Sequence, residues 1–345
     1  MKQRDVFSSA PENSLVVVDA DWLAYMIACA LEKKSVKVYD ENDVFVKEYK
    51  NKTKFKEDTR NYNPNFRIED SQSLPSSYKN NMAFLVRNQI KGFLSATNCQ
   101  DYLLALGGST NFRNDLKLPC QYKGSRKDVI KPLALYEVRD YLKQNFKCVI
   151  SIDEEADDII SKYQFMSFKD RSRRIVACTL DKDARGTPGY LYNPNESKLI
   201  FIEGLGFVER NAKESASGNK SFKFYGEGRK WFYSQLLTGD KADDYYPCDI
   251  YKQITNNSSK SPLITDLKCF NLLKDCTSDK ECWQAIVTIY KGWYENISTW
   301  KDWEGNEVKG DWIDILQMYV DVVHMRRFDN DRVDVKSVLT KFELI

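Results

Sequence analysis

The chain has 345 residues, of which 30% are charged and 42% apolar, and its formal net charge is only +2. That length can bury one large core, or one core plus an appended module, and no stretch approaches the roughly 18 apolar residues that a membrane helix needs. The polar start, residues 1–12, has no apolar secretion core, the nine cysteines include no Cys-x-x-Cys, and His324 is the sole histidine, so neither secretion, membrane insertion nor a zinc site is expected, and a reduced, cytoplasmic setting is.

From the N-terminus, residues 15–18 predict a buried strand and 22–31 the helix after it. Residues 34–80 read as an insertion: 35–39 and 44–49 alternate like the arms of a hairpin, and 61–77 is polar and turn-rich, a surface loop. Met82, Leu85, Val86, Ile90, Phe93 and Leu94 mark one face of a helix, and 102–106 the next strand. A basic stretch, 109–131, ends before Pro132, which suits the first turn of a helix over 132–144. Residues 148–152 predict a third strand, 155–168 a helix and 174–178 a fourth strand. Strands alternating with helices predict an α/β fold with a mostly parallel central sheet flanked by helices. Residues 198–202 and 221–225 read as edge strands, separated by the polar stretch 209–220. From Arg229 the sequence turns helical and aromatic-rich, which divides the chain into a core over 1–225 and a helical C-terminal region over 226–345.

Eight acids occupy four short segments of this pattern. Asp19 closes the first strand; Glu155, Asp157 and Asp158 open the helix after the third; Asp181 and Asp183 follow the fourth; Asp240 and Asp243 come just past a helix over 229–238. Ligands of an open α/β sheet bind beyond the carboxyl ends of its strands, so the first three segments are predicted to meet at one edge. The last three segments each have a simpler reading by themselves: acids favoured by a helix dipole, a common loop pattern, and punctuation after a helix end. Gathered together, however, they would repel one another unless cations sit between them. The all-oxygen ligand set points to Mg2+ or Mn2+, and ions held by carboxylates are the equipment for in-line hydrolysis of a phosphodiester.

Six basic residues (Arg113, Lys117, Lys123, Arg126, Lys127 and Lys131) stand against two acids between 113 and 131. As a phosphate clamp this stretch would present Lys123 and Arg126 on one helical face with Tyr122 free to stack on a base; as a solvated loop it would do neither. A near-neutral total can hide an acidic pocket beside a basic surface. Trp283, Trp293, Trp300, Trp303 and Trp312 are read mainly as core, and His324 as structural.

In this order, the segments resemble the 5′-nuclease family, which includes flap endonucleases, the 5′-nuclease domain of bacterial DNA polymerases and phage 5′→3′ exonucleases, those of short-tailed phages most of all. Val17-Val18-Asp19-Ala20-Asp21-Trp22-Leu23 is similar to the family's opening strand and first metal aspartate. Phe112-Arg113, followed by Tyr122-Lys123-Gly124-Ser125-Arg126, is similar to its phosphate-contacting arch. Glu155-Ala156-Asp157-Asp158, Thr179-Leu180-Asp181-Lys182-Asp183 and Gly239-Asp240-Lys241-Ala242-Asp243 match its later acidic motifs.

The resemblance implies a PIN-like core with a basic arch over 109–131. It also implies two Mg2+ ions, replaceable by Mn2+, held by Asp19, Glu155, Asp157, Asp158, Asp181, Asp183, Asp240 and Asp243. Lys123 and Arg126 become the catalytic cations at the scissile phosphate, and Arg113, Tyr122 and Lys127 DNA contacts. The implied partner is duplex DNA with a 5′ end or flap, or an RNA–DNA hybrid. The implied activity is a 5′→3′ exodeoxyribonuclease; the alternatives are a structure-specific flap endonuclease and a non-catalytic DNA-binding relative. Two departures stand out. Gly107-Gly108-Ser109-Thr110 replaces a metal aspartate, so one ion is expected to bind weakly and Gly108→Asp to strengthen it. Tyr245-Tyr246-Pro247-Cys248 stands where the family has a glycine-rich hairpin that grips duplex phosphates.

Overall fold

In a computed structural model, which describes residues 12–60, 65–214, 220–255 and 263–345, three wholly buried valines make Leu15–Asp19 the middle of a six-stranded sheet. β-Branched side chains favour strands, and a strand covered on both faces needs an unbroken apolar run, which Val16, Val17 and Val18 supply. The strand order is Cys148–Ile150, Asp101–Leu106, Leu15–Asp19, Ile175–Cys178, Gly189–Asn193, Lys198–Ile202. Leu15–Asp19 runs parallel to both its neighbours, with Asp19 opposite Ala105, and only the last strand is seen to return antiparallel. The helix Ala156–Lys169 lies across this sheet, burying Ala156, Ile159 and Ile160 with Val17, Ala105, Ile175 and Ala177.

The chain separates into two units. The first runs up to Asp19 and then takes in Phe93–Val129 and Val149–Ile345; the second is Ala20–Gly92 with Ile130–Cys148. The expected boundary at 225 is therefore not where the chain divides. The helix Arg229–Thr238 packs on the short turn Asp183–Gly186, and Gly228 donates its N–H to Arg185 at 2.9 Å, which ties the C-terminal helices to the sheet's own unit. Those helices share a second core around Leu236, Trp283, Tyr290, Tyr294 and Tyr319. Trp283 and Trp300 are buried in it, Trp293 and Trp312 pack against it, and Trp303 is exposed.

Two expected elements differ. Residues 221–225 do not extend the main sheet: Phe207–Glu214 and Lys220–Glu227 pair with each other in a separate antiparallel hairpin. Gly206, at φ +71°, turns the chain into it, and a Cβ there would lie 1.8 Å from the Glu227 carbonyl oxygen. The polar stretch 61–77 is not all loop, because Arg67–Ser73 pairs antiparallel with Lys33–Tyr39 over seven residues. That ladder satisfies the backbone without help from apolar side chains. Residues 1–11, 61–64 and 215–219, parts of the polar start and of the two polar stretches, lie outside the described residues.

In the second unit, Phe45–Tyr49, Lys33–Tyr39 and Arg67–Ser73 form a three-stranded sheet over a small core of Val36, Val38 and Phe55. Beside it the helices Ala20–Leu31 and Leu135–Asn145 pack together, with Asp21 paired to Arg139.

Candidate metal centre

The first unit carries the acids. Asp19, the last residue of its strand, accepts a hydrogen bond from the Thr179 hydroxyl at 3.1 Å. The same hydroxyl accepts the Asp181 N–H at 3.0 Å, and Asp181 Oδ1 accepts the Asp183 N–H at 2.8 Å, so the turn after Ile175–Cys178 is folded around its own acids. Asp157 stands on the first turn of Ala156–Lys169. Burial, then the charges of Asp181 and Asp19, push its carboxyl well above the ordinary range. Ligand oxygens of Asp183, Asp240 and Asp243 lie within 4.8 Å of one another, and all three residues are buried. Burial, then Asp181 and Asp243, push Asp183 up in the same way. Four distant segments thus meet: the three whose acids follow strands or open the helix after one, and the segment of Asp240 and Asp243, which follows the helix Arg229–Thr238.

Three cations lean on this cluster. Lys123 Nζ is 2.6 Å from Glu155 Oε1 and 3.7 Å from Asp243 Oδ2. Arg126 Nη2 is 2.7 Å from Asp243 Oδ1, and Lys182 Nζ is 3.0 Å from Asp240 Oδ2. The basic loop is docked by its backbone as well, the Lys123 N–H donating to the Asp243 carbonyl at 3.0 Å. Lys123 has φ +52°, an uncommon left-handed conformation for a residue with a Cβ, and it opens the short turn Gly124–Asp128. Burial opposes the Lys123 charge, but Glu155 and Asp243 outweigh it and hold the ammonium above its usual pKa.

Four expectations need correction. Asp158 is not offered to an ion: it accepts from Arg113 Nη1 at 2.6 Å, Arg113 Nη2 at 3.0 Å, and the N–H groups of Arg326 and Glu155, both at 3.0 Å. A carboxylate has about four acceptor positions, and these donors take them. Arg113 in turn is wholly buried, with its remaining donors on the Val322 and His324 carbonyls at 2.9 Å, so it cannot contact DNA. Tyr122 is buried too; its hydroxyl lies 3.1 Å from both Glu155 and Asp243, and its ring is not free to stack on a base. Lys127 is exposed, as a DNA contact requires, with Nζ on Gln121 Oε1 at 2.8 Å. The fourth concerns Gly108. It donates its N–H to Ser151 Oγ at 2.8 Å, and an added Cβ would lie 2.1 Å from the Ser151 carbonyl oxygen. An aspartate therefore cannot simply be restored there.

The segment after Asp243 is tied inward. Tyr245 forms a backbone bridge with Asp240, Tyr319 donates its hydroxyl to the Tyr246 carbonyl at 3.0 Å, and Tyr294 donates to that of Pro247. Several contributors carried no sequence signal. Asn111 donates to Glu155 at 3.0 Å and Gln235 to Asp183. Gln235 lies in a helix whose pattern announces only packing, and Asn111 reads as a plain cap before Phe112. His324 is structural, its Nε2 2.9 Å from Asp331 just past the helix Trp312–Val323.

Among the described residues no helix is long and apolar enough to cross a membrane. No protein-family model matches the chain, and no curated protein does. Among solved structures, it is similar to a T5 protein co-crystallized with metal ions, at 11% identity over 95% of this chain and 96% of that one, with a TM-score of 0.47. It is also similar to a mutant T5 5′-exonuclease, at 12% identity over 96% of each chain and a TM-score of 0.44. A third similar structure is a bacteriophage T5 flap endonuclease in a pseudo-enzyme–product complex with DNA and metal ions, at 11% identity over 96% of this chain and 99% of that one, TM-score 0.38.

Proposed function

We propose that the chain is a divalent-metal-dependent 5′ nuclease of the flap-endonuclease-like family, acting on duplex DNA as a 5′→3′ exodeoxyribonuclease with two Mg2+ ions. The observation that carries this reading is the meeting of four acidic segments at one place, with Asp183, Asp240 and Asp243 within 4.8 Å of one another and Lys123 and Arg126 against the cluster. The donor set fits a hard divalent cation, being oxygen throughout, and a cation would relieve the repulsion that drives Asp157 and Asp183 toward their neutral forms. Asp183, Asp240 and Asp243 would hold one ion; Asp19, Asp157 and Asp181, with Glu155, would hold the second. Such ions supply Lewis acidity and lower the pKa of water.

The chain's own groups would do the rest. Lys123, whose Nζ already bridges Glu155 and Asp243, can donate to a phosphate oxygen brought up to the acids and stabilise its growing charge. Arg126, with half of its side chain exposed, would hold the phosphate from outside. The buried Arg113–Asp158 pair fixes the first turn of Ala156–Lys169, which orients Asp157. Polarity at the 5′ end rests on the family resemblance.

Gly107-Gly108, in place of an acid, favours a second reading, a DNA-binding relative without chemistry. The test is digestion of 5′-labelled duplex, flapped duplex and RNA–DNA hybrid by the wild type and Asp157→Asn, in Mg2+, Mn2+ and EDTA. Short products from the 5′ end of the duplex are expected for the wild type with metal, and none in EDTA or with Asp157→Asn. Cutting confined to the flap would make the chain a structure-specific endonuclease. Binding without cutting in either metal would select the non-catalytic reading.

A further inference from the structure

One buried polar group beside the acids has no use in the scheme above. Tyr245 is 2% exposed, and its hydroxyl oxygen is buried without a hydrogen-bond partner. A hydroxyl left so has given up its bonds to water for nothing in return, and native interiors rarely tolerate this without a purpose. The residue is firmly placed. The Asp240 N–H donates to the Tyr245 carbonyl at 2.9 Å and the Tyr245 N–H to that of Asp240 at 3.2 Å. Gly239 lies so close that a Cβ there would stand 2.4 Å from the Tyr245 carbonyl oxygen. The hydroxyl therefore does not lack a partner because the chain is loose.

What surrounds it is specific. The charged groups that act on it are the carboxylates Asp183, Asp240 and Asp243, the three that converge within 4.8 Å, and its backbone is bridged to one of them, Asp240. The nearby Tyr290 is already committed, donating its own hydroxyl to the Leu236 carbonyl at 3.0 Å. Toward an ionised carboxylate, a phenol acts as the donor. Gln235 and Lys182 already donate to Asp183 and Asp240 from other directions.

We infer that Tyr245 is a positioning residue for a divalent-cation site formed by Asp183, Asp240 and Asp243, its O–H donating to a carboxylate oxygen, or to water on the ion, once those acids have turned toward the cation. This rests on the reading of the trio as a metal site. Outer donors of this kind orient the ligands, and their loss typically weakens metal binding about 10–100-fold.

The experiment is Mn2+ binding to the full-length protein without DNA, followed by calorimetry or by the electron-spin signal of free Mn2+, for the wild type, Tyr245→Phe and Asp183→Asn. Tyr245→Phe removes one unpaired oxygen and keeps the ring, so its melting temperature in EDTA should equal or exceed that of the wild type. Its Mn2+ affinity at one site should fall about tenfold or more. Wild-type affinity in Tyr245→Phe, with binding lost in Asp183→Asn, would overturn the role of Tyr245 alone. Unchanged binding in both variants would overturn the metal site itself. A drop in the EDTA melting temperature of Tyr245→Phe would show that the hydroxyl has a structural partner, and would likewise reject the proposal.

Discussion

Asp157 and Asp158 are neighbours on one helical turn, and the molecule treats them in opposite ways. Asp158 points to the interior, where four donors saturate it and Arg113 outweighs burial to hold its carboxyl below the usual range. Asp157 faces Asp19 and Asp181, and its carboxyl is pushed up. Residue type and helix position are nearly identical, so the division of labour comes from which lone pairs the fold has already occupied. A carboxylate satisfied by fixed donors is structure; one surrounded by other carboxylates is a site waiting for charge.

The sharpest way to break this contrast is to remove each acid in turn. Asp158→Ala leaves the buried Arg113 guanidinium without its partner, a loss that costs about 3–5 kcal/mol and should appear as a large drop in the urea midpoint. Asp157→Asn should cost little or nothing in EDTA. The pH dependence carries opposite signs. The Asp158 contribution is complete above the ordinary carboxylate range and is lost as pH falls through its depressed folded-state value. For Asp157 the favourable state is the protonated one, complete below the ordinary range and lost as pH rises through its elevated folded-state value. Melting curves in EDTA from about pH 4 to 8 should therefore show Asp157→Asn gaining on the wild type as pH rises. Equal destabilisation by the two substitutions would erase the distinction.

Lys123 tests the same contrast from the side of the cations, because it is bound to the open acids and not to the closed pair. Lys123→Ala should slow single-turnover cleavage at saturating DNA by about 10²–10³-fold while changing DNA affinity far less. It should also tighten Mn2+ binding, since Glu155 and Asp243 lose a competing charge. An unchanged rate would leave Lys123 as a salt-bridge partner only.

Much of this was legible from the sequence where one local signal was enough. Val16, Val17 and Val18 announce a buried strand, and the acids that follow strands announce an edge where they meet. What stayed hidden depends on partners far along the chain. Nothing near Asp158 separates it from Asp157, because Arg113 is 45 residues away. Tyr122 and Arg113 read as surface groups in a basic loop, whereas their burial is decided by Glu155, Asp243 and the carbonyls of Val322 and His324. Arg67–Ser73 has no apolar alternation and becomes a strand only because Lys33–Tyr39 offers it a ladder. Tyr245 looks like one more aromatic in an aromatic-rich region.

Gly108 gives the smallest expected effect and tests whether the open group of acids can be enlarged. By sequence, an aspartate after the strand 101–106 would strengthen the binding of one ion. Sterically it has no room: the first atom of any side chain would stand 2.1 Å from the Ser151 carbonyl oxygen, which is backbone and cannot swing aside. Forcing an atom into so close a contact typically costs about 1–3 kcal/mol. The strain would pull on the hydrogen bonds by which Leu106 and Gly108 hold residue 151, at 2.9 and 2.8 Å, four places before Glu155. Gly108→Ala separates the two effects, since it adds the clash without the charge. Both variants should lose stability by similar amounts, and neither should bind Mn2+ more tightly than the wild type. A lower metal requirement in Gly108→Asp alone, with Gly108→Ala destabilised, would mean that the loop can shift to admit an acid, and that the open group is limited by sequence and not by space.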